Sequence, residues 1–386
     1  MRIVFLSLLL ATAVSSVAQT FHEVGGIRYL EKDGNTVVVA RQDKELADAI
    51  TIPATITVNN TDFSVTGIIS PSDSESGGGG AFQECGITAV DLSALSITAI
   101  PDQCFQGCSL LSNVTLPASI TAIGNNAFSG CMALTTLTLP AGVNELGEGA
   151  FKGSGLTAFT IPAGVTELKS EVLRDTKITS LEIPASVTKL GTHAFASDLR
   201  DTEGLAVSKT VTMGQRDCRN IEFVGDWGIT AFGDMTTINL QVPAGGKVVY
   251  QEYMPWMNMN ITEYGEDAGP ALTPDQRHVT IDGILYMLKD GKASVAIQPE
   301  TLSGEVSIPE KVTYESTDYD VTAVMGSYWS YGHLYSDYYH YNGAFTQTAV
   351  TRVTLPASIK TIGHHAFCEA QELQEVVLSE GVITIE

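Results

Sequence analysis

The chain has 386 residues, of which 44% are hydrophobic and 17% charged, so it can build a substantial core. Its 44 acidic and 21 basic residues give a formal net charge of −23, which disfavours binding to nucleic acids or anionic membranes, because phosphates are recognised by Lys and Arg. The acidic residues are spread along the chain, as is typical of a solvated surface.

The first eighteen residues read as a signal peptide. Arg2 is followed by an apolar run at residues 3–13, and Ser16 and Ala18 supply the small residues of a cleavage site before Gln19. The run is too short to cross a bilayer, and no other stretch is long enough to do so. We therefore expect an exported protein, secreted or on the outer cell surface, with no transmembrane segment. The absence of Cys after the cleavage point argues against a lipid anchor.

One phrase is repeated along the chain. LPASITAIGNNAF at residues 116–128 returns as LPASIKTIGHHAF at residues 355–367 with nine identical letters. Looser copies begin at Leu139, Ile161 and Ile183. Consecutive units end on marker residues 22 or 23 positions apart: Phe82, Phe105, Phe128, Phe151, Leu173 and Phe195, and later Phe345 and Phe367. Self-similarity at this period predicts a solenoid in which each unit forms one coil.

Each unit also carries an apolar-x-x-apolar-x-apolar pattern, whose alternating end predicts a strand with one buried face. The triads are Leu111/Val114/Leu116, Leu134/Leu137/Leu139, Leu156/Phe159/Ile161, Ile178/Leu181/Ile183, Val350/Val353/Leu355 and Leu373/Val376/Leu378. Pro follows most of them and ends the strand, because it has no N–H to donate. The Gly of each Ile-Gly pair is expected to provide a positive φ. Because one coil buries too little apolar surface to offset its conformational entropy, neighbouring coils must share a core.

The triads, the following Pro and the Ile-Gly-x-x-Ala-Phe motif resemble the BspA-like leucine-rich repeats of bacterial surface proteins. The resemblance covers about residues 52–264 and 279–386. It implies a β-rich, right-handed leucine-rich-repeat solenoid with 22–23-residue coils in two modules. Unlike ordinary leucine-rich repeats, these units have Pro near the usual position of Asn.

A second level of repetition supports two modules. GIRYLEKDG at Gly26 aligns with GILYMLKDG at Gly283, and each predicts a hairpin with Asp-Gly at its turn. We predict a signal peptide at 1–18, a lead-in or cap at 19–51, module 1 at 52–264, a polar linker at 265–278 and module 2 at 279–386. Module 2 looks incomplete, since another Gly-x-x-Ala-Phe is due where the sequence stops.

No H-E-x-x-H, G-x-S-x-G, P-loop or complete G-x-G-x-x-G motif is present, so we expect no catalysis and no cofactor. An enzyme using unrecognised acidic pairs is an alternative. His364, His365 and Cys368 are metal-binding residue types, but they lack a fourth ligand, and we expect no metal site.

Three of the six cysteines, Cys85, Cys108 and Cys131, each lie three residues after a marker Phe. This spacing predicts a column of small buried side chains. Coils about 4.8 Å apart leave a disulfide geometrically possible, although parallel side chains disfavour it.

Two features are candidates for ligand binding. The exposed strand positions carry Thr115, Thr138 and Thr160, which suit a strand face but also lie where leucine-rich repeats commonly bind ligands. An insertion at residues 327–341 is rich in aromatic residues, which either cover the solenoid edge or bind a ligand. Its aromatic residues are Tyr328, Trp329, Tyr331, Tyr335, Tyr338, Tyr339 and Tyr341.

The resemblance implies adhesion or recognition of proteins on host or microbial surfaces. We therefore expect a non-catalytic surface protein with a protein ligand. The alternative is a carbohydrate-binding surface protein of a nutrient-uptake system, which would stack sugars on the same aromatic side chains.

Overall fold

The computed structural model describes residues 19–73, 78–197, 206–224, 231–232, 237–253, 256, 259–266, 272, 274–299, 301–326, 328–330 and 340–385. The predicted signal peptide lies outside these ranges and stays a prediction. The regular secondary structure of the described part is almost entirely β-strand, with one short helix, α1 (Lys247–Tyr250), and a 3-10 turn at Cys218–Asn220.

The strands of the first part of the chain are β1 (Phe21–Val24), β2 (Ile27–Lys32), β3 (Thr36–Val39), β4 (Ala47–Thr51), β5 (Thr55–Val58), β6 (Thr61–Ile68), β7 (Gly86–Asp91), β8 (Ala99–Ile100), β9 (Asn113–Thr115), β10 (Ala122–Ile123), β11 (Glu145–Leu146), β12 (Glu167–Leu168), β13 (Ser180–Ile183), β14 (Lys189–Gly191), β15 (Lys209–Met213), β16 (Glu222–Val224), β17 (Ile238–Pro243) and β18 (Asn260–Tyr264). Those of the second part are β19 (Gln276–Ile281), β20 (Ile284–Lys289), β21 (Lys292–Val295), β22 (Ser303–Ser307), β23 (Lys311–Tyr314), β24 (Thr317–Val324), β25 (Tyr328–Ser330), β26 (His340–Asn342), β27 (Ala349–Leu355), β28 (Thr361–Ile362), β29 (Glu375–Leu378) and β30 (Thr384–Ile385).

Each part begins with a mixed lead-in sheet that contains the antiparallel hairpin predicted from the duplicated Asp-Gly segments. In the first, the strand order is β1-β2-β3-β6-β5, and in the second β19-β20-β21-β24, with β23 also paired to β24. The turn between β20 and β21 is Asp290-Gly291, both at positive φ, which is the geometry of a two-residue hairpin. The turn between β2 and β3 has three residues and places Gly34 and Asn35 at positive φ.

A buried glutamine occupies the equivalent place in each lead-in, and the sequence patterns do not single it out. The Gln42 side chain accepts from Arg28 N at 2.9 Å and donates to Arg28 O at 2.8 Å and Ala40 O at 2.7 Å. Gln298 makes the same three bonds with Leu285 and Ala296, at 2.9, 2.8 and 2.8 Å. The amide thus substitutes for a neighbouring backbone at the end of the hairpin, which keeps these buried polar groups satisfied.

The later strands form parallel ladders between successive repeats. In one ladder Ala99 pairs with Ala122 and Ala122 with Glu145, a step of 23 residues. A second set of ladders has the orders β4-β7-β9 and β13-β15-β17-β18. The second part of the chain contains the equivalent ladder β22-β27-β29, while β28 and β30 extend its lead-in sheet. Pairing at the repeat interval means that each unit lies directly against the next.

The first four marker phenylalanines form a single buried file. Phe82, Phe105, Phe128 and Phe151 are fully buried, and successive ring centroids are 5.2, 5.3 and 5.7 Å apart. Phe345 and Phe367 stack in the same way at 5.2 Å. The backbone beside this file is hydrogen-bonded from unit to unit, as in Phe105 N to Ala127 O at 2.8 Å. The spacing of the marker residues thus correctly identified the shared core.

Two hydrophobic clusters are present. The first runs from Ile27 to Ile261 and the second from Ile284 to Ala366. They are joined by polar contacts: Glu252 Oε2 accepts from His278 N at 2.6 Å, and Glu252 O accepts from Gln276 Nε2 at 2.5 Å. Gln276 and His278 fall in β19, inside the range predicted as a linker.

The expectation for the repeated glycines was wrong. Gly124 and Gly191 are not at positive φ, which falls two residues later, at Asn126 (53°) and His193 (55°). Glycine is needed instead because neighbouring backbones touch at these positions. A Cβ on Gly124 would lie 2.5 Å from Asp102 N, and one on Gly191 would lie 2.4 Å from Ser170 N.

The predicted strands are also absent from two units. The triads at residues 134–139 and 156–161 lie in segments without ladder pairing, although Leu134, Leu156 and Phe159 are buried as expected. The other four triads coincide with β9, β13, β27 and β29. Alternation predicts an extended backbone with one buried face, but it does not require that backbone to be hydrogen-bonded to its neighbour.

The cysteine column is buried, and its thiols are free. Cys108 Sγ lies 2.9 Å from Phe82 O and Cys131 Sγ 3.2 Å from Phe105 O, so each thiol donates to a carbonyl of the preceding unit. Ser154 and Thr348 occupy the same position in other units and are also buried. The column therefore accommodates a small side chain with a hydrogen-bond donor.

We expect Gly124→Ala to lower the free energy of unfolding by about 1–3 kcal/mol, because the added methyl group must displace the Asp102 backbone. Urea denaturation measures the effect. Gly142→Ala is the matched control, since its Cβ would approach only Ile120 O, at an ordinary 3.5 Å. Equal stability of the two variants would contradict the assigned role of the Ile-Gly glycine.

We expect Cys108 to resist alkylation in the folded chain while Cys368 reacts. Burial raises the pKa of the Cys108 thiol to about 12, so almost none is thiolate near pH 8, whereas Cys368 is partly exposed. Mass spectrometry after brief iodoacetamide treatment, with and without urea, measures this. Similar labelling of both residues without urea would show that the column is accessible.

Candidate binding surfaces

The exposed positions of the triad segments form a column of mostly neutral polar side chains. Thr115, Thr138 and Thr160 are all exposed, as predicted, and Glu182 follows them. The ladder continues the column, because Glu182 pairs with Thr212, Thr212 with Gln241 and Gln241 with Thr262. Thr212 Oγ1 and Gln241 Oε1 lie 3.0 Å apart, so the ladder also positions side chains relative to one another.

A second column lies two residues before the first in the same segments. It contains Asn113, Thr136, Ala158 and Ser180, and the ladder extends it to Thr210, Asn239 and Asn260. Asn260 Nδ2 donates to Asn239 Oδ1 at 2.9 Å. Together the two columns offer hydroxyl and amide groups that both donate and accept hydrogen bonds. Such a surface suits a neutral polar ligand better than an ionic one.

The aromatic insertion begins and ends in a short hairpin. β25 and β26 are antiparallel, with Tyr328 opposite Asn342 and Trp329 opposite Tyr341. The hairpin therefore brings together residues from the two ends of the insertion. Tyr331, Tyr335, Tyr338 and Tyr339 lie outside the described residues, so their contribution to a binding surface stays a prediction.

A charged cluster in the turns was missed by the sequence reasoning. Glu171 Oε2 lies 2.6 Å from Lys152 Nζ, and its other oxygen pairs with Arg174. Burial by itself would raise the pKa of Glu171, but hydrogen bonds from Lys152 and Arg174 outweigh it and hold the pKa below its usual value. Burial and Arg174 lower the pKa of His193.

These residues follow the repeat period, since Lys152 and Arg174 are 22 residues apart, as are Glu171 and His193. This spacing was the signal in the sequence from which the charged cluster could have been predicted. Because its charges are already paired, the cluster is suited to joining units rather than to binding a ligand.

The residues considered for a metal site lie on the second part of the chain. His364 and His365 are exposed neighbours with ring centroids 6.1 Å apart, and Cys368 is partly buried. Within the described ranges, no three His, Cys, Asp or Glu side chains are grouped as metal ligands. No helix in those ranges is long and apolar enough to cross a membrane.

Comparison with known proteins connects the repeats to a family. Residues 75–200 and 340–386 match the BspA type leucine rich repeat region in six copies. No curated protein matches the chain.

Several solved structures are similar to the chain. A leucine rich cell surface protein from Faecalibacterium prausnitzii is 17% identical, covering 93% of this chain and 95% of its own, with a TM-score of 0.42. A leucine-rich repeat protein from Bacteroides ovatus is 17% identical over 92% of this chain and 94% of its own, with a TM-score of 0.39. One from Bacteroides capillosus is 30% identical over 32% of this chain and 84% of its own, with a TM-score of 0.27. The six matched copies show that the chain carries leucine-rich repeats of the BspA type.

Proposed function

We propose that the chain is an exported, non-catalytic binding protein that recognises a protein ligand on a host or bacterial surface. The aromatic insertion is its main contact region. The observation that carries this proposal is the hairpin of β25 and β26, which places Trp329 opposite Tyr341 at the base of an insertion with seven aromatic residues. Tyr and Trp supply large contact areas at low entropic cost.

The position of the insertion supports this role. It lies between β24 of the lead-in sheet and the buried Phe345. Both β24 and Phe345 are hydrogen-bonded to the following unit. For example, Phe345 N donates to Ala366 O at 2.8 Å, and Val324 pairs with Ile362. The strands and turns on either side of the insertion are therefore held by the neighbouring unit, which supports its proposed role in binding a ligand.

The proposed scaffold is a right-handed solenoid of 22–23-residue coils, divided into a lead-in at 19–51, module 1 at 52–264, a linker at 265–278 and module 2 at 279–386. The duplicated lead-ins and the two hydrophobic clusters support two modules. The ladder steps of 22 and 23 residues support the coil length, as for Glu167 paired with Lys189 and Ala99 paired with Ala122. Export is supported by the pattern of residues 1–18.

Carbohydrate binding is the second candidate, and the neutral strand face is the observation that favours it. Thr115, Thr138 and Thr160 provide hydroxyl groups but no charge, aromatic ring or Arg. Protein-binding hot spots are enriched in Trp, Tyr and Arg, so this face is better suited to hydroxyl-bearing ligands than to a protein.

We expect Trp329→Ala and Tyr338→Ala each to weaken binding to a captured surface protein at least about tenfold, because aromatic hot spots contribute 2 kcal/mol or more. The partner is first captured from host and bacterial surface extracts, with and without residues 327–341. Affinity is then measured by surface plasmon resonance, and Ser336→Ala in the same insertion is the control.

Capture that is unchanged by deletion of residues 327–341 would assign the insertion to the scaffold. A glycan array distinguishes the second candidate. Sugar binding that is lost in Trp329→Ala and Tyr338→Ala would favour the carbohydrate function over protein recognition.

A further inference from the structure

One ladder is interrupted between two neighbouring units. β11 is the last strand of the sheet β8-β10-β11, and β12 is the first strand of β12-β14-β16, so the two are not paired with each other. The same two units stay hydrogen-bonded at their turns, as shown by Gly149 N to Ser170 O at 2.9 Å and Phe151 N to Val172 O at 3.0 Å. The units are therefore held together on one side and separated at the strands.

A groove of about 310 Å³ occupies this interruption. It is lined by Asn144, Glu145, Leu146, Thr166, Glu167 and Lys169. Leu146 borders the groove but is only 1% exposed, while the other lining side chains carry oxygen or nitrogen atoms. The volume is at the lower end of the range for small-ligand sites, and it suits a single side chain of a larger partner.

The ion pairs around the groove leave one carboxylate without a cation. Lys169 Nζ lies 2.7 Å from Glu145 Oε1. Lys189 is paired in the ladder with Glu167 on one side and Glu222 on the other, but its ammonium group lies 3.3 Å from Glu222. In the part of the chain that the structure describes, Glu167 makes no ion pair. The groove therefore carries a net negative charge.

We propose that this groove binds a basic side chain, lysine or arginine, of a protein partner. The Glu167 carboxylate attracts the cation, and Asn144 and Thr166 offer oxygen atoms that accept its N–H groups. The net charge of −23 favours approach of a basic partner. This inference rests on the proposed role in protein recognition and names the chemistry of the partner.

The test uses the full chain with 13C-labelled leucine methyl groups. Nα-acetyl-lysine methylamide is expected to shift the Leu146 methyl signals, whereas Nα-acetyl-norleucine methylamide, which has the same stem but no charge, leaves them in place. Glu167→Gln is expected to weaken the lysine titration about threefold, the size of one half-exposed ion pair. Glu222→Gln is the matched control, because Glu222 follows in the same ladder column but lies outside the groove.

Unmoved Leu146 signals, or an equal response of Glu167→Gln and the unmodified chain, would overturn the inference. Its failure is distinguishable from failure of the proposed function. A captured protein partner whose binding is insensitive to Glu167→Gln refutes the groove and leaves protein recognition in place. If the lysine compound shifts the Leu146 signals but the chain captures no protein, the proposed function is refuted and the groove remains a site for a cation.

Discussion

The contact between successive units is the interaction on which the rest of the structure depends. A single unit cannot bury its apolar residues alone, so the marker residues pack from unit to unit, as the phenylalanines from Phe82 to Phe151 do. Centroid distances of 5.2 to 5.7 Å and nearly parallel rings from Phe82 to Phe151 show how closely this contact repeats. The backbone hydrogen bonds beside the file satisfy the polar groups that stacking buries.

Close stacking explains the chemistry of the turns. Glycine at position 124 or 147 allows two backbones to approach more closely than a Cβ would permit. The left-handed positions two residues later accept Gln103, Asn126, Glu171 or His193, all near φ 55°. This strain is tolerated where the surrounding hydrogen bonds fix the backbone. Because these side chains need not enter the core, the turns can carry charged contacts such as that of Glu171 with Lys152.

A scaffold of this kind separates the residues that hold the fold from those that are exposed on its surface. The residues that point inward are constrained by their neighbours in the stack, whereas the exposed columns are constrained only to suit a strand. One column presents Thr115, Thr138 and Thr160 without charge, and the interrupted ladder presents Glu167 with Lys169 nearby. Two chemically different surfaces therefore coexist on one repeated core.

The sequence by itself determined the repeat period, the buried positions and the two lead-in hairpins, including the Asp290-Gly291 turn. These features depend on local patterns of apolar residues and on turn chemistry within one unit. The aromatic insertion was visible as composition, and Thr115, Thr138 and Thr160 as an exposed column. Only the tertiary structure decided why Gly124 is required, which triads pair as strands, where the ladder opens between β11 and β12, and that Lys189 pairs with Glu222 instead of Glu167. These features depend on the distance between neighbouring units, which no pattern within a single unit specifies.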